Sequence, residues 1–260
     1  MRSQEDIAPT NYKCDICKDE KGWTEWRDAD VWGDGRYVRK EQVWVDCSCT
    51  NQRKIEGLIN SSHITEEFQK MRFNNFDIEG LSNYVKRMKE KSEEYFTHFK
   101  NVRNTRTNSI ALIGQPGVGK THLLMAVSNN LITKGSIPVM YFPFVSTIAE
   151  MQANTFEKEE AITQRAKEVE VLFIDDLYKP AGGKPQATEW QQRKVYDIVN
   201  HRYLNNLPIL LSSELQFPEM LAVDEATGSR LFEMTENYTV SVPKNFRLNY
   251  RTRKLFKEAN

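Results

Sequence analysis

Midway along the chain, Gly114-Gln115-Pro116-Gly117-Val118-Gly119-Lys120-Thr121 follows the apolar run Ile110-Ala111-Leu112-Ile113 and precedes a helical pattern opening near Lys120. A strand, a glycine-rich loop and a helix in that order leave few folds open. Glycines let the backbone curl until successive N–H groups point at one phosphate, and the helix N-terminus adds partial positive charge. Lys120 can then reach the outer phosphates and the Thr121 hydroxyl can hold Mg²⁺. A turn with only a structural purpose has no need of Lys and Thr after its last glycine. The eight residues are therefore the expected nucleotide contacts, with ATP or ADP and Mg²⁺ as ligands. His122, which as a helix residue needs no chemistry of its own, borders the site and is counted with them.

From residue 109 short apolar runs alternate with helical segments, the mark of a parallel sheet with helices on both faces. The runs predict five strands, over 109–114, 138–144, 170–175, 208–213 and 238–242. They are apolar throughout instead of alternating, as strands covered on both faces are. Thr188 is placed to cap a helix reaching about Leu204, its hydroxyl accepting from an orphan backbone donor. Ahead of the sheet, 81–99 reads as a charged helix with Tyr84, Met88, Tyr95 and Phe99 along one face.

A phosphate loop needs a strand ending in carboxylates, and Val171-Leu172-Phe173-Ile174-Asp175-Asp176 supplies it. Asp175, at the strand tip, is expected to hold Mg²⁺ through water or the Thr121 hydroxyl, and Asp176 to orient or deprotonate the attacking water. The fourth run ends Leu211-Ser212-Ser213-Glu214 at the edge where open α/β sheets bind ligands. Ser213, with Ser212, either senses the terminal phosphate or caps the next turn.

All four cysteines, Cys14, Cys17, Cys47 and Cys49, fall in the first fifth of the chain, with Trp23, Trp26, Trp32 and Trp44 out of five tryptophans. That shift marks a separate module, meeting the main domain around 65–75. Two close cysteine pairs can complete a tetrahedral Zn²⁺ shell, although the second pair is one residue tighter than the common C-x2-C. In a reducing cytosol clustered cysteines bind metal more often than they pair, and so small a module needs a staple. The tryptophans are either that module's own core or an exposed protein interface.

Charge narrows the partners. The 36 Lys and Arg balance 36 Asp and Glu over 260 residues, which excludes a wholly basic nucleic-acid-coating protein and leaves a local basic channel open. No apolar run approaches the roughly 18 residues of a membrane span. The start, Met1-Arg2-Ser3-Gln4-Glu5-Asp6, carries acids where a secretory signal needs an apolar stretch. A soluble, cytoplasmic protein with no membrane partner is the expectation.

Taken together, these motifs resemble the AAA+ ATPases, and within them the bacterial and phage replicative helicase loaders of the DnaC and DnaI type, related to the IstB transposition ATPases. The resemblance covers about 68–251. Phe73-Asn74-Asn75-Phe76 is similar to the segment beside the adenine, which implies a base contact for Phe76, and Asn200-His201-Arg202-Tyr203 ends a family-like helix. Gly228-Ser229-Arg230-Leu231 implies that Arg230 is a finger reaching a neighbouring subunit's nucleotide, where a guanidinium neutralises charge developing on the phosphoryl group. The plainer reading pairs Arg230 with Glu225 or Glu233 on its helix. Arg251 resembles a C-terminal arginine that some relatives use as a second nucleotide sensor. Met234 departs from the pattern, standing where many relatives carry a second arginine.

The resemblance implies an AAA+ fold with strand order 5-1-4-3-2. It also implies three parts: a zinc-binding, helicase-interacting module (1–65), a linker with an adenine-side helix (66–105) and the ATPase domain (106–260). A slow, regulatory ATPase follows, which binds a hexameric replicative helicase of the DnaB type, associates with itself and contacts single-stranded DNA. The DNA contacts fall to 145–169, where Lys158, Gln164, Arg165 and Lys167 are diluted by Glu157, Glu159 and Glu160 until a solvated face competes. The loop Lys179-Pro180-Ala181-Gly182-Gly183-Lys184 and the tail residues Lys244, Arg247, Arg251, Arg253, Lys254 and Lys257 add to them. The competing readings are a transposition accessory ATPase on duplex DNA, an adaptor that nucleotide stabilises without significant hydrolysis, favoured only by Met234, and a small-molecule kinase.

Overall fold

The computed structural model describes residues 12–30, 38–79, 81–179 and 185–252. Met1–Asp6, Trp32, the loop residues 180–184 and the tail residues Arg253, Lys254 and Lys257 lie outside the described residues. Two compact units are present, Met1–Gly57 and Leu58–Asn260.

In the first unit, β1 (Gly22–Asp30) pairs antiparallel with β2 (Val38–Asp46), from Gly22 opposite Asp46 to Asp30 opposite Val38. Helix α1 (Ser48–Ser61) follows. A two-stranded ribbon has no second layer to bury a face against, and an isolated one is marginal in water. Among the described residues of this unit only Cys17, Gly22 and Cys47 are buried. Trp23, Trp26 and Trp44 are 40%, 65% and 53% exposed, so these three take the surface reading and not the core one.

The second unit contains α2 (Glu66–Gln69), α3 (Asn83–Val102), β3 (Ile110–Gly114), α4 (Lys120–Gly135), β4 (Val139–Pro143), α5 (Phe144–Ala153), α6 (Phe156–Glu168) and β5 (Val171–Asp175). After these come α7 (Glu189–Leu204), β6 (Ile209–Ser213), α8 (Phe217–Val223), α9 (Glu225–Thr235) and β7 (Thr239–Val242). The strands form one parallel sheet in the order β4-β5-β6-β3-β7. Counted along this unit, that is the expected 5-1-4-3-2. Every residue of β3, β5 and β6 is buried, which is why these runs carry no polar alternation.

Three local readings shift. The second strand stops at Pro143, and Phe144 opens α5 instead of closing the strand. Proline has no N–H for the sheet but suits a helix start. On α3 the buried stripe is Val85, Met88, Ser92, Tyr95 and Phe99, while Tyr84 is 47% exposed. The division between units falls within α1, before residue 65, and α3 packs on α4 and β7. Thr188 caps α7 as expected, accepting from the Gln191 N–H while the Gln191 side chain accepts from the Thr188 N–H. Among the described residues no helix is long and apolar enough to cross a membrane.

Arg202 ties these layers together. Fully buried on α7, it donates through one terminal nitrogen to the carbonyls of Ala166 (2.9 Å), Lys167 (3.2 Å) and Val169 (2.8 Å), and through the other to Glu170 (3.2 Å) and Pro208 (2.7 Å). A cation at the C-terminus of α6 satisfies carbonyls that have no intrahelical partner. Burial pulls its pKa down to about 9. Arg202→Met should cost about 3–5 kcal/mol, because it strands those carbonyls in the interior. Urea unfolding with an unchanged slope and a lowered midpoint would show it.

Candidate functional site

The phosphate loop joins β3 to α4, and its conformation depends on glycine at two points. Gly117 and Gly119 have φ of 79° and 95°, which L side chains rarely adopt. A Cβ on Gly119 would lie 2.5 Å from the Phe76 ring, and one on Gly117 would strike the Asn249 side chain. The loop is thus covered closely on one side by the segment before α3 and on the other by the chain after β7. That chain is fixed by hydrogen bonds: the Tyr250 N–H donates to the Gly117 carbonyl (2.9 Å) and the Gln115 side-chain amide to the Asn245 carbonyl (2.7 Å).

Lys120 is 5% exposed, its ammonium held inside the loop by the carbonyls of Gly114 (2.7 Å) and Gln115 (2.9 Å). Burial lowers its pKa, against the pull of Asp176, Glu214 and Asp175. Thr121 donates to Asp175 Oδ1 at 3.0 Å. Asp175 at the tip of β5 also accepts from Ser212 (2.5 Å) and from the Tyr141 hydroxyl on β4 (3.0 Å). Burial raises its pKa and these donors oppose the rise. A hydroxyl and a carboxylate in direct contact, beside a buried ammonium, can hold a divalent cation and the phosphates it bridges.

Of the paired hydroxyls on β6 it is Ser212, not Ser213, that faces the carboxylates. Strand residues alternate faces, so moving one position turns the side chain away. Ser213 is fully buried, donates to the Leu177 carbonyl (2.7 Å) and accepts from the Leu215 N–H (3.0 Å). It takes the turn-capping reading, and its expected place in the catalytic set is corrected.

A cleft of about 540 Å³ opens beside the loop, walled by Phe76, 116–122, Asp175, Asp176, Glu214 and Arg251, with Phe68, Leu81 and Val85 on the apolar side. That volume suits a nucleotide-sized ligand. His122 lies 3.1 Å from the Arg72 carbonyl and 3.0 Å from Asn75 Oδ1, with its ring 5.1 Å from that of Phe76. It therefore braces the wall around Phe76. Tyr141 carried no signal in the sequence, and Asn75, Ser212 and Asn249 gave none of the partners they meet here, since each acts on a residue distant along the chain.

Arg230 stands outside the cleft lining. It donates to Asn200 Oδ1 (3.0 Å) and to the Ala226 carbonyl (2.7 Å), with its guanidinium 5.2 Å from the Tyr196 ring and 5.5 Å from that of Tyr203. Among the described residues it pairs with neither Glu225 nor Glu233, so the plain helix-pair reading falls. Met234 is 1% exposed in the core, so an arginine at this position would be buried and not offered to a neighbour. On α6, Lys167 pairs with Asp197 (2.7 Å), Gln164 with Glu160 (2.7 Å), and Arg165 contacts His63 (2.8 Å), while Lys158 is exposed. These partners draw the face toward the solvated reading.

In the first unit, the sulfurs of Cys14, Cys17, Cys47 and Cys49 all lie within 4.8 Å of one another. Cys14 is 3.7 Å from Cys47 and Cys17 is 3.4 Å from Cys49. Four thiolates about 2.3 Å from one Zn²⁺ sit roughly 3.8 Å apart, so the set fits that ion. Backbone N–H groups of Cys17 and Ile16 bring the Cys14 pKa down to about 7, whereas burial and the neighbouring thiols push Cys49 up to about 12. All four can ionise together only around a cation.

Residues 68–235 match the family described as the bacterial DnaA ATPase domain. The chain is 42% identical over 245 residues to the phage-like element PBSX protein XkdC of Bacillus subtilis, covering 93% of this chain and 87% of that one. Among solved structures, the DnaC helicase loader superposes with a TM-score of 0.54 at 20% identity, covering 68% of this chain and 99% of the other. The replication initiator DnaA bound to AMPPCP and single-stranded DNA superposes at 0.52 with 21% identity, covering 75% and 56%. Both share the α/β sheet of the second unit as a fold.

Proposed function

Because the chain belongs to the bacterial DnaA ATPase-domain family and has the AAA+ fold, we propose that it is an ATP-dependent loader, which binds a hexameric replicative helicase and helps place it on single-stranded DNA. The observation that carries the ATPase half is the direct Thr121 to Asp175 contact beside buried Lys120. Mg²⁺ held there by Thr121 and Asp175 would supply positive charge to the β- and γ-phosphates. Lys120 and the loop N–H groups fix the phosphates, and Phe76 with Arg251 closes the cleft around the remainder of the nucleotide. Asp176 orients the attacking water and takes its proton as the bond from phosphorus to the bridging oxygen breaks.

Arg230 completes this set in a neighbouring copy. Its place outside its own cleft, steadied by Asn200 and two tyrosine rings, supports a role in trans. Turnover then depends on assembly and is slow in the isolated protein. The burial of Met234 supports a packing role for that side chain over the non-hydrolysing adaptor reading.

The helicase half rests on the first unit. Its cysteine set suits a structural Zn²⁺, and its exposed Trp23, Trp26 and Trp44 suit a protein interface. Thiols kept for metal also favour a reducing, cytoplasmic setting. Light scattering of the full chain mixed with the replicative helicase, with and without ATP and Mg²⁺, is expected to reveal a stable complex. Absence of any complex, together with tight duplex-DNA binding, would move the reading to a transposition accessory.

A further inference from the structure

Asp176 does not face the cleft unpartnered. It follows β5 in the left-handed region, at φ 57°, with its N–H donating to the Ser212 hydroxyl (2.9 Å). Tyr178 is left-handed too, at φ 50°, so the backbone doubles back and returns Lys179 to the carboxylate. The Lys179 ammonium lies 2.7 Å from Asp176 Oδ2 and 3.6 Å from Glu214 Oε1, and all three side chains line the cleft. Non-glycine residues in this conformation persist where the surroundings enforce them, and they cluster at functional sites. The bond to Asp176, then its charge and that of Glu214, raises the Lys179 pKa. The cation therefore stays in place at neutral pH.

We propose that Lys179 is a brake in cis on hydrolysis, holding Asp176 until its ammonium passes to Glu214. The lone pairs that Asp176 gives to Lys179 are withheld from the attacking water, so the carboxylate cannot orient it while the pair is closed. Glu214, 3.6 Å from the ammonium, is the second carboxylate within reach and needs only a small shift to take it over. The sequence spacing hides this, because Lys179 reads as the first residue of a basic loop. The inference rests on the reading of Asp176 as the carboxylate that orients water and takes its proton.

The test is steady-state ATP hydrolysis by the full chain at saturating ATP and Mg²⁺. Lys179→Met is expected to raise kcat about two- to fivefold with KM unchanged, the scale of one partly exposed ion pair. Lys179→Arg should restore the original rate. Glu214→Gln, which leaves the ammonium only Asp176, should lower kcat, and the double variant should match Lys179→Met. A lysine that instead steadied the departing phosphoryl group would make Lys179→Met slower, and that result, or no change, overturns the brake. Asp176→Asn separates the two readings. If it binds ATP but does not turn over while Lys179→Met fails to accelerate, the brake alone falls; normal turnover in Asp176→Asn removes both.

Discussion

Lys120→Ala is expected to abolish measurable ATP binding, a loss of at least about 100-fold in affinity, while the protein stays folded. An ammonium that is buried and already aimed into a ring of backbone groups exchanges two carbonyl bonds for bonds to phosphate oxygens when nucleotide arrives. Each charge-assisted bond is worth about 1.5–3 kcal/mol, so losing two of them exceeds the roughly 2.7 kcal/mol that 100-fold represents. The free protein should suffer little. Burial lowers the Lys120 pKa below its unfolded value, so the charged form is the less favoured one in the fold. That cost is present at neutral pH, is relieved as pH rises through the folded pKa, and disappears with the side chain. Titration calorimetry reads the affinity directly. Thermal unfolding adds a second reading: saturating ATP should raise the midpoint of the original chain and leave that of the variant unmoved. Affinity within tenfold of the original would overturn the assignment of the loop.

What the sequence displays and what it hides follow from how far apart the partners lie. The phosphate loop and Asp175-Asp176 are contiguous motifs whose chemistry is local, and the sequence displays both, as well as the contact of Thr121 with Asp175. The same holds for the parallel sheet, because strands buried on both faces must be apolar at every position. Errors of one position arose where a face had to be chosen. The sequence does not separate Ser212 from Ser213, and it puts Tyr84 where Val85 belongs; in each case one residue of phase separates a surface or turn role from the face that packs or binds. Contacts made across the sheet gave no signal at all. Tyr141 reaches Asp175 from another strand, Asn249 covers Gly117 from far along the chain, and Arg202 serves five carbonyls drawn from two stretches, 166–170 and Pro208. Such residues are chosen by the assembled fold, and a linear pattern has no term for them.

The other large effect belongs to the first unit. Cys17→Ser is expected to release bound Zn²⁺ and unfold this unit while ATP binding by the second is retained. With only Cys17, Gly22 and Cys47 buried among its described residues, apolar burial cannot offset the entropy of ordering a ribbon and its turns. A structural Zn²⁺ contributes about 10–16 kcal/mol in small metal-dependent modules, enough to decide between folded and unfolded. Elemental analysis of the purified chain should give one Zn²⁺ per chain, removed by a strong chelator. Tryptophan is a selective reporter here, since Trp23, Trp26, Trp32 and Trp44 lie in the first unit and Trp190 alone in the second. Chelation should therefore change tryptophan fluorescence and near-ultraviolet circular dichroism strongly and leave the ATP affinity where it was. Serine keeps the shape of cysteine but binds Zn²⁺ poorly, so any loss it causes is a loss of the metal bond and not of packing. A chain free of zinc whose spectra ignore the chelator would refute the metal site. Loss of ATP affinity on chelation would instead mean that the two units fold as one.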